Sequence, residues 1–368
     1  MRALFVCGFH PAHDAVSSGS RIVAREMDTL KSQGWEIVTV SFENELDRRH
    51  YKDGYVASTT PGSRIFRLTR MLRVLAGLRH PILPFVASGR AFVARAYVRK
   101  LLKQTNFDRI EAVFVQAADV LPRDRWPEAR LVSHDVLTQR FQREYEHSRG
   151  WRKILTRFEM FRVKRWETRV MRCFGHVEVL SDKDRKLVQS LTGRKDALVR
   201  YPEVPRYIDP RERTPDQIDP SMMLFWGHIG RKENTDAVHF FVRKIMPAIL
   251  AKRPDARLVV AGIDPPESVC ALAGRAVVVT GYVEHPAALF RSAAVGVVPL
   301  RLGSGLKIKT IEMIACGLPV VATSVGAEGV KPHDLLTTAD QEETFINAVV
   351  DHLERACLQP QDGLRHRL

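Results

Sequence analysis

Apolar residues in this chain come in short, almost unbroken runs separated by amphipathic stretches. Arg2–Cys7 (RALFVC) is such a run, and it leads into a loop containing Gly8, Pro11, Ser17, Ser18 and Gly19. Ile22, Val23, Met27 and Leu30 then follow helical spacing up to Gly34, and Glu36–Phe42 (EIVTVSF) is rich in β-branched residues. Strand, helix and strand in that order predict a βαβ unit and a parallel sheet. Further strands are expected over 112–116, 131–133 and 176–180, and helices over 151–172 and 182–191. The second half alternates more regularly. Strands are expected at 222–226, 257–261, 277–280, 295–299 and 319–323, and helices at 235–250, 285–292, 307–316 and 340–354. LVVAG, VVVTG, VGVVP and PVVAT are apolar at consecutive positions, so both strand faces are expected to be buried, as in a parallel sheet covered by helices. Between the halves, 202–221 holds five prolines (Pro202, Pro205, Pro210, Pro215, Pro220). No helix or central strand is expected to tolerate that. The predicted organisation is an α/β domain over 1–201, a linker over 202–221 and a second α/β domain over 222–368, both doubly wound. Ligands in such sheets bind beyond the carboxyl ends of the strands.

Composition narrows the class. A chain of 368 residues that is 45% hydrophobic and 27% charged has apolar material for about two cores and is not expected to be disordered. Its 22 Gly and 20 Pro have no period, which excludes a collagen-like chain. Five cysteines, odd in number and without a C-x-x-C pair, point away from a disulfide scaffold or zinc ribbon and towards a reducing compartment. The first apolar run is short, lacks a small-residue cleavage site and reads as a buried strand. No run reaches the roughly 18 uncharged apolar residues of a membrane span. The expected location is cytoplasmic, or peripheral on the inner face of a membrane.

The net charge of +15 is local. Residues 64–103 hold ten Lys/Arg and no acid, and residues 139–172 hold eleven Lys/Arg against four Glu. Together these stretches carry more than the whole net charge. Arg64, Arg67, Arg70 and Arg73 alternate with Ile65, Phe66, Leu68, Met71 and Leu72; Phe92, Tyr97 and Leu101 alternate with Arg95, Arg99 and Lys100. Amphipathic helices with a basic face fit this pattern, and an anionic membrane surface is the expected partner of both stretches. A core helix with a solvated basic face is the plainer reading. Nucleic acid is not expected, because no nucleic-acid motif accompanies the charge.

The densest chemistry lies in 299–329, PLRLGSGLKIKTIEMIACGLPVVATSVGAEG. Gly303, Ser304 and Gly305 let the backbone approach a ligand and lead into a helix whose free N–H groups favour an anion. Lys307 and Lys309 add positive charge in its first turn, so a phosphate or diphosphate is the expected guest. Glu312, about a turn further on, suits the paired hydroxyls of a ribose.

This segment resembles the donor-nucleotide site of the retaining glycosyltransferases with the GT-B fold, in the group 1 (family 4) branch. The resemblance extends to FWGHIGRKENTDAVHFF (225–241), PDARLVVAG (254–262) and VVVTGYV (277–283), and more loosely to SSGSR (17–21) and the His134–Asp135 pair. It implies two Rossmann-like domains facing across a cleft and transfer of a sugar from a nucleotide diphosphate sugar to an acceptor hydroxyl, with retention. It also implies roles for individual residues. Glu312 corresponds to the second acid of the family's E-x7-E motif, on the ribose. Arg231 and Lys309, with Lys232 as neighbour to Arg231, stand where the family holds the diphosphate. Tyr282 and Val283 frame the base, and Gly19 meets the diphosphate from the first domain. Eight residues before Glu312 stands Ser304, so the first acid of the motif is missing and the sugar contact falls to the loop amides.

His134 and Asp135 end an apolar strand and are the candidate catalytic pair; a structural His–Asp pair is the alternative. His10 and His13 are expected at the surface. Fixed cations and helix N–H groups can stabilise the leaving diphosphate, so neither metal nor cofactor is expected; the nucleotide sugar is a co-substrate. A glycan or glycolipid is the expected acceptor, as in cell-envelope polysaccharide synthesis. The alternatives are a degenerate GT-B protein that binds a sugar nucleotide or partner without turnover, and a GT-B nucleotide-sugar epimerase.

Overall fold

The computed structural model describes residues 1–11, 18–42, 55–57, 89–204 and 206–358. The chain divides into two compact units, Met1–Pro202 with Ser304–Leu306, and Glu203–Gly303 with Lys307–Leu368.

The first unit is built on a seven-stranded, all-parallel sheet. Its strands are β1 (Arg2–Cys7), β2 (Glu36–Phe42), β3 (Tyr55–Ala57), β4 (Arg109–Val113), β5 (Arg130–Ser133), β6 (His176–Val179) and β7 (Leu198–Val199), in the order β3-β2-β1-β4-β5-β6-β7. Successive residues of β1 serve opposite faces. Leu4 and Val6 join one core and Ala3, Phe5 and Cys7 the other, which is why the strand reads as unbroken apolar. Helix α1 (Ser18–Ser32) covers one face through Val23, Met27 and Leu30. On the other face lie α2 (Gly89–Gln104), through Ala94 and Val98, and the second half of α4 (Trp151–Cys173), through Val163, Trp166, Val170 and Met171. Helix α3 (Leu137–His147) precedes α4. Helix α5 (Asp182–Thr192) starts at Ser181, whose hydroxyl accepts from Asp184 N–H, and ends at Gly193 in the left-handed conformation.

Six buried or half-buried charges, on β4, β5, β6 and α1 and just beyond β7, link this sheet to that helix. Arg109 pairs with Glu111 and, at 3.0 Å, with Glu26. Arg200 pairs with Glu26 and, at 2.8 Å, with Glu178, which also holds Arg130 at 2.9 Å. Burial, together with Glu26 nearby, pushes the Glu111 carboxyl up to about 7.

The described part of the first basic stretch is a core helix. In α2 Ala94 and Val98 are buried and Tyr97, Leu101 and Leu102 pack against the core, while Arg99, Lys100 and Lys103 are exposed. Residues 58–88, which include most of that stretch, lie outside the described residues.

The second unit carries a six-stranded parallel sheet of β8 (Asp219–Trp226), β9 (Arg257–Ala261), β10 (Val277–Gly281), β11 (Ala293–Val298), β12 (Val320–Ala322) and β13 (Leu336–Thr338), in the order β10-β9-β8-β11-β12-β13. The helix expected over 235–250 is in three parts: α6 (Lys232–Phe240), a π-helical turn (Phe241–Ile245) and α7 (Met246–Lys252), with Pro247 at the start of the last. Then come α8 (Glu267–Cys270), α9 (Ala287–Ser292), α10 (Ile308–Ala315) and α11 (Glu342–Leu358).

The proline-rich segment differs from a free linker. Ile208 is buried in the second core, and the Arg213 guanidinium donates to the carbonyls of Phe290 (3.3 Å), Gly317 (3.4 Å) and Ala293. Pro220 lies inside β8, a central strand. It is accommodated because the β8–β11 register shifts there, Ala293 facing Asp219 but Val295 facing Met223.

Candidate functional site

Strand order reverses between β8 and β11 in the second sheet, so the loops beyond their carboxyl ends are where a doubly wound sheet receives a ligand. Gly227 follows β8 at φ +145°, and a Cβ on Gly262, beyond β9, would lie 1.6 Å from the Gly227 carbonyl oxygen. Only glycine permits that approach. Next to it, a Cβ on Gly230 would lie 2.4 Å from Asp264 Oδ2.

Lys309, in the first turn of α10, reaches back to this loop. Its Nζ donates to Asn234 Oδ1 at 2.6 Å and lies 4.5 Å from the centroid of the Phe225 ring. A Cβ on Gly227 would come within 3.0 Å of it. Asn234 is itself fixed by donating to the His228 carbonyl at 2.5 Å. Burial lowers the Lys309 pKa to about 7, the nearby Glu233 opposing that shift. This ammonium is thus held among a neutral amide and a ring, with no ion pair to it among the described residues.

Glu312 is one turn further along α10 and is buried. The Trp226 indole N–H donates to its Oε2 at 3.0 Å, and the Tyr207 hydroxyl to its Oε1 at 3.4 Å. Tyr207, Trp226 and Phe290 pack around it with ring centroids 5.0–5.6 Å apart. These two bonds orient the carboxylate.

Lys307 is placed differently from Lys309. It is buried, its Nζ lies 3.3 Å from Glu328 Oε2, and its backbone N–H donates to the Glu328 carbonyl at 3.1 Å. Its charge is met inside the unit. Arg231 is exposed at the N-cap of α6 and pairs with Glu233 at 2.7 Å; Lys232 is exposed beside it. Gly303 has φ +108° and its Cβ position faces Glu233 at 3.7 Å and Lys307 Nζ at 3.9 Å. Ser304 and Gly305 group with the first unit. Tyr282, just beyond β10, is 67% exposed, whereas Val283 packs against the second core.

In the first unit, His134 follows β5. Its ring packs on Phe114 with centroids 4.2 Å apart, and a Cβ on Gly19 would lie 2.7 Å from Phe114 Cζ and 3.0 Å from His134 Nδ1. Phe114 has φ +68°, a strained conformation for a residue with a side chain. Burial lowers the His134 pKa to about 4, so the imidazole is neutral at pH 7. Asp135 follows, its carbonyl accepting from Ser133 Oγ at 2.7 Å. His10 is buried, not at the surface: its Nδ1 is 2.9 Å from Ser41 Oγ. His13 lies outside the described residues.

Asn234, Phe225, Trp226 and Tyr207 complete the site; the first three lie within the segment 225–241 that the resemblance covers but carry no individual signal there, and Tyr207 lies outside every motif. Glu167 is a further buried acid without a sequence signal. It accepts from Leu137 N–H, Thr138 N–H and Thr138 Oγ1 at 2.8, 2.8 and 2.5 Å, so it caps α3 from α4. The chain's one Asp-x-Asp triplet, Asp182-Lys183-Asp184, opens α5 and is occupied by local bonds from Ser181, Lys183, Arg185 and Tyr201.

Residues 220–355 match the family model of the glycosyl transferases group 1. Among solved structures, the sucrose-phosphate synthase of Thermosynechococcus elongatus is 16% identical with a TM-score of 0.66, covering 97% of this chain and 91% of its own. WaaG, a glycosyltransferase involved in lipopolysaccharide biosynthesis, is 18% identical with a TM-score of 0.64, covering 96% and 90%. Anabaena HepE, solved with UDP-glucose, is 14% identical with a TM-score of 0.62, covering 97% and 91%. These likenesses show the GT-B fold. A curated relative, the uncharacterized 44.6 kDa protein in the cps region of Klebsiella pneumoniae, is 22% identical over 141 residues, 35% of this chain and 36% of that protein. The match thus spans about a third of either chain.

Proposed function

We propose that this chain, a GT-B protein whose second unit is a group 1 glycosyltransferase domain, moves a glycosyl unit from a nucleotide diphosphate sugar to an acceptor hydroxyl. The observation that carries the reading is the pairing on α10 of an oriented carboxylate, Glu312, with a desolvated cation, Lys309, both at the reversal point of the second sheet. Glu312 takes the ribose diol. Lys309, the loop amides and Arg231 meet the diphosphate, and they stabilise the negative charge that develops as the sugar leaves. The base lies toward Tyr282. Retention and independence of metal belong to this reading; activity lost in EDTA and restored by Mn²⁺ would contradict the latter.

In the first unit, neutral His134 offers one donor and one acceptor nitrogen and is the candidate for the acceptor side, with Asp135 beside it. HepE was solved with UDP-glucose, WaaG is involved in lipopolysaccharide biosynthesis, and the Klebsiella relative lies in a cps region; these support a sugar nucleotide as donor and a cell-envelope glycan or glycolipid as acceptor.

The test is a thermal-shift panel of UDP, GDP, ADP, CMP and dTDP on wild type and Glu312→Ala. A nucleoside diphosphate that stabilises wild type and not the variant is expected, and it names the base. His134→Ala should keep that shift and lose transfer. A shift equal in wild type and Glu312→Ala would place the nucleotide elsewhere.

A further inference from the structure

Helix α4 changes surroundings along its length. Its second half is core. Its first half exposes Trp151 (68%), Ile154 (72%), Leu155 (60%), Phe158 (50%) and Phe161 (62%), five of the ten large apolar side chains that are exposed among the described residues. At about 100° per residue these five share an arc of about 120° on one side of the helix. Most residues that enter the core later, Val163, Val170 and Met171, point about 120–140° away from the middle of that arc, and Trp166 about 80°. The apolar face is therefore not the core face of α4 carried on; it is a second face. Soluble monomers seldom display a contiguous apolar surface of this kind without a use for it.

Charge decides what covers it. Residues 149–165 contain seven Lys/Arg and one acid, Glu159, which lies 3.5 Å from Arg162. Arg165 is exposed within the apolar arc, Arg152, Arg157 and Lys164 are exposed about 40–60° beyond its edges, and Lys153 is exposed on the far side. Cations flanking an aromatic and aliphatic centre are the pattern of a helix lying in a lipid interface, with basic residues at the head groups and Trp and Phe below them. A protein partner of ordinary composition would meet five side chains of this size with little to balance the surrounding charge.

We infer that the first half of α4 is a membrane wedge: Trp151, Ile154, Leu155, Phe158 and Phe161 enter the outer part of an anionic bilayer leaflet, and the flanking Arg and Lys hold its head groups. The inference does not rest on sugar transfer, since vesicle binding is read without donor or acceptor. It narrows the basic region 139–172 to one face of one helix.

Flotation of the full chain with phosphatidylcholine vesicles, with and without phosphatidylglycerol, tests it. Wild type should float with the anionic vesicles and stay below with the neutral ones. Ile154→Asp with Phe158→Asp should lower partitioning at least about tenfold and leave the melting temperature unchanged. Trp151 emission should shift to the blue on vesicle addition, and Trp151→Phe should lose that shift. A double variant that floats like wild type overturns the proposal. So does a wild type that fails to float, whether it runs as a dimer broken by the double variant or its melting temperature falls when these residues are changed. The first result would assign the face to a second copy, the other to the chain's own residues.

Discussion

Lys309 should make nucleotide binding depend on pH. Burial holds its pKa at about 7 in the free protein, against 10.5 for an ordinary lysine. Above that pH most molecules carry a neutral amine there, and a diphosphate must recruit a proton to gain the charge. If the bound diphosphate returns the group to its ordinary pKa, affinity falls about fourfold by pH 7.5 and about a hundredfold by pH 9, relative to the fully protonated form. The window between those two pH values thus spans about 25-fold. The terminal phosphate of the nucleotide loses its last proton near pH 6, below this window, and does not add to the slope. Isothermal titration calorimetry in buffers of different ionisation enthalpy reads both quantities. The dissociation constant should rise with pH, and about one proton should be taken up per nucleotide at pH 8.5. Lys309→Arg keeps its charge throughout and should flatten the profile; Lys309→Met should bind weakly at every pH. A wild-type constant that stays level from pH 7.5 to 9, or a Lys309→Met variant with the wild-type slope, refutes the reasoning.

Four further substitutions probe the frame around the sites. Glu167→Ala leaves the Leu137 and Thr138 N–H groups buried without their acceptor and should cost about 2–4 kcal/mol in urea unfolding; a change within experimental error would mean that water replaces the carboxylate. Gly262→Ala places a methyl group 1.6 Å from the Gly227 carbonyl oxygen, whereas Gly274→Ala meets open space. The first should yield insoluble protein or lose more than about 3 kcal/mol, and the second should stay within about 0.5 kcal/mol. Gly19→Ala drives a methyl group into Phe114 and His134 and should cost about 1–3 kcal/mol by overpacking, read as a lower melting temperature.

The elements most legible in the sequence are those whose strands are buried on both faces. LVVAG and VGVVP declare themselves because no polar residue interrupts them. Strand β4 shows the limit. Apolar spacing predicts 112–116, but the strand is Arg109–Val113 and the chain turns at Phe114. Arg109 and Glu111 disguise it as surface, and they are tolerated inside because each finds its counter-charge on α1 or within the strand. Pro220 misleads in the opposite sense, since a register shift lets a central strand carry it. On the site, glycines and charges stand out as types, and Gly303, Lys309 and Glu312 could be named. Which lysine faces the sheet end could not: Lys307 and Lys309 are two residues apart, and only their partners, Glu328 for one and Asn234 for the other, tell them apart. Those partners lie far off in sequence, where spacing has no reach.

The charged network between the first sheet and α1 has a consequence for how the chain comes into being. Its last member, Arg200, joins Glu26 across 174 positions. Until Arg200 has been made, Glu26 and Glu178 lack one of their cations, and the carboxylates around α1 repel one another. Translation must therefore pass residue 200, just short of Pro202 and of the second unit's strands, before the network can be complete. The remainder then takes on the order of ten to thirty seconds to emerge at ordinary elongation rates. The chain order thus lets every charge of this network be paired before the apolar strands of the second sheet, which begin at Asp219, have been made.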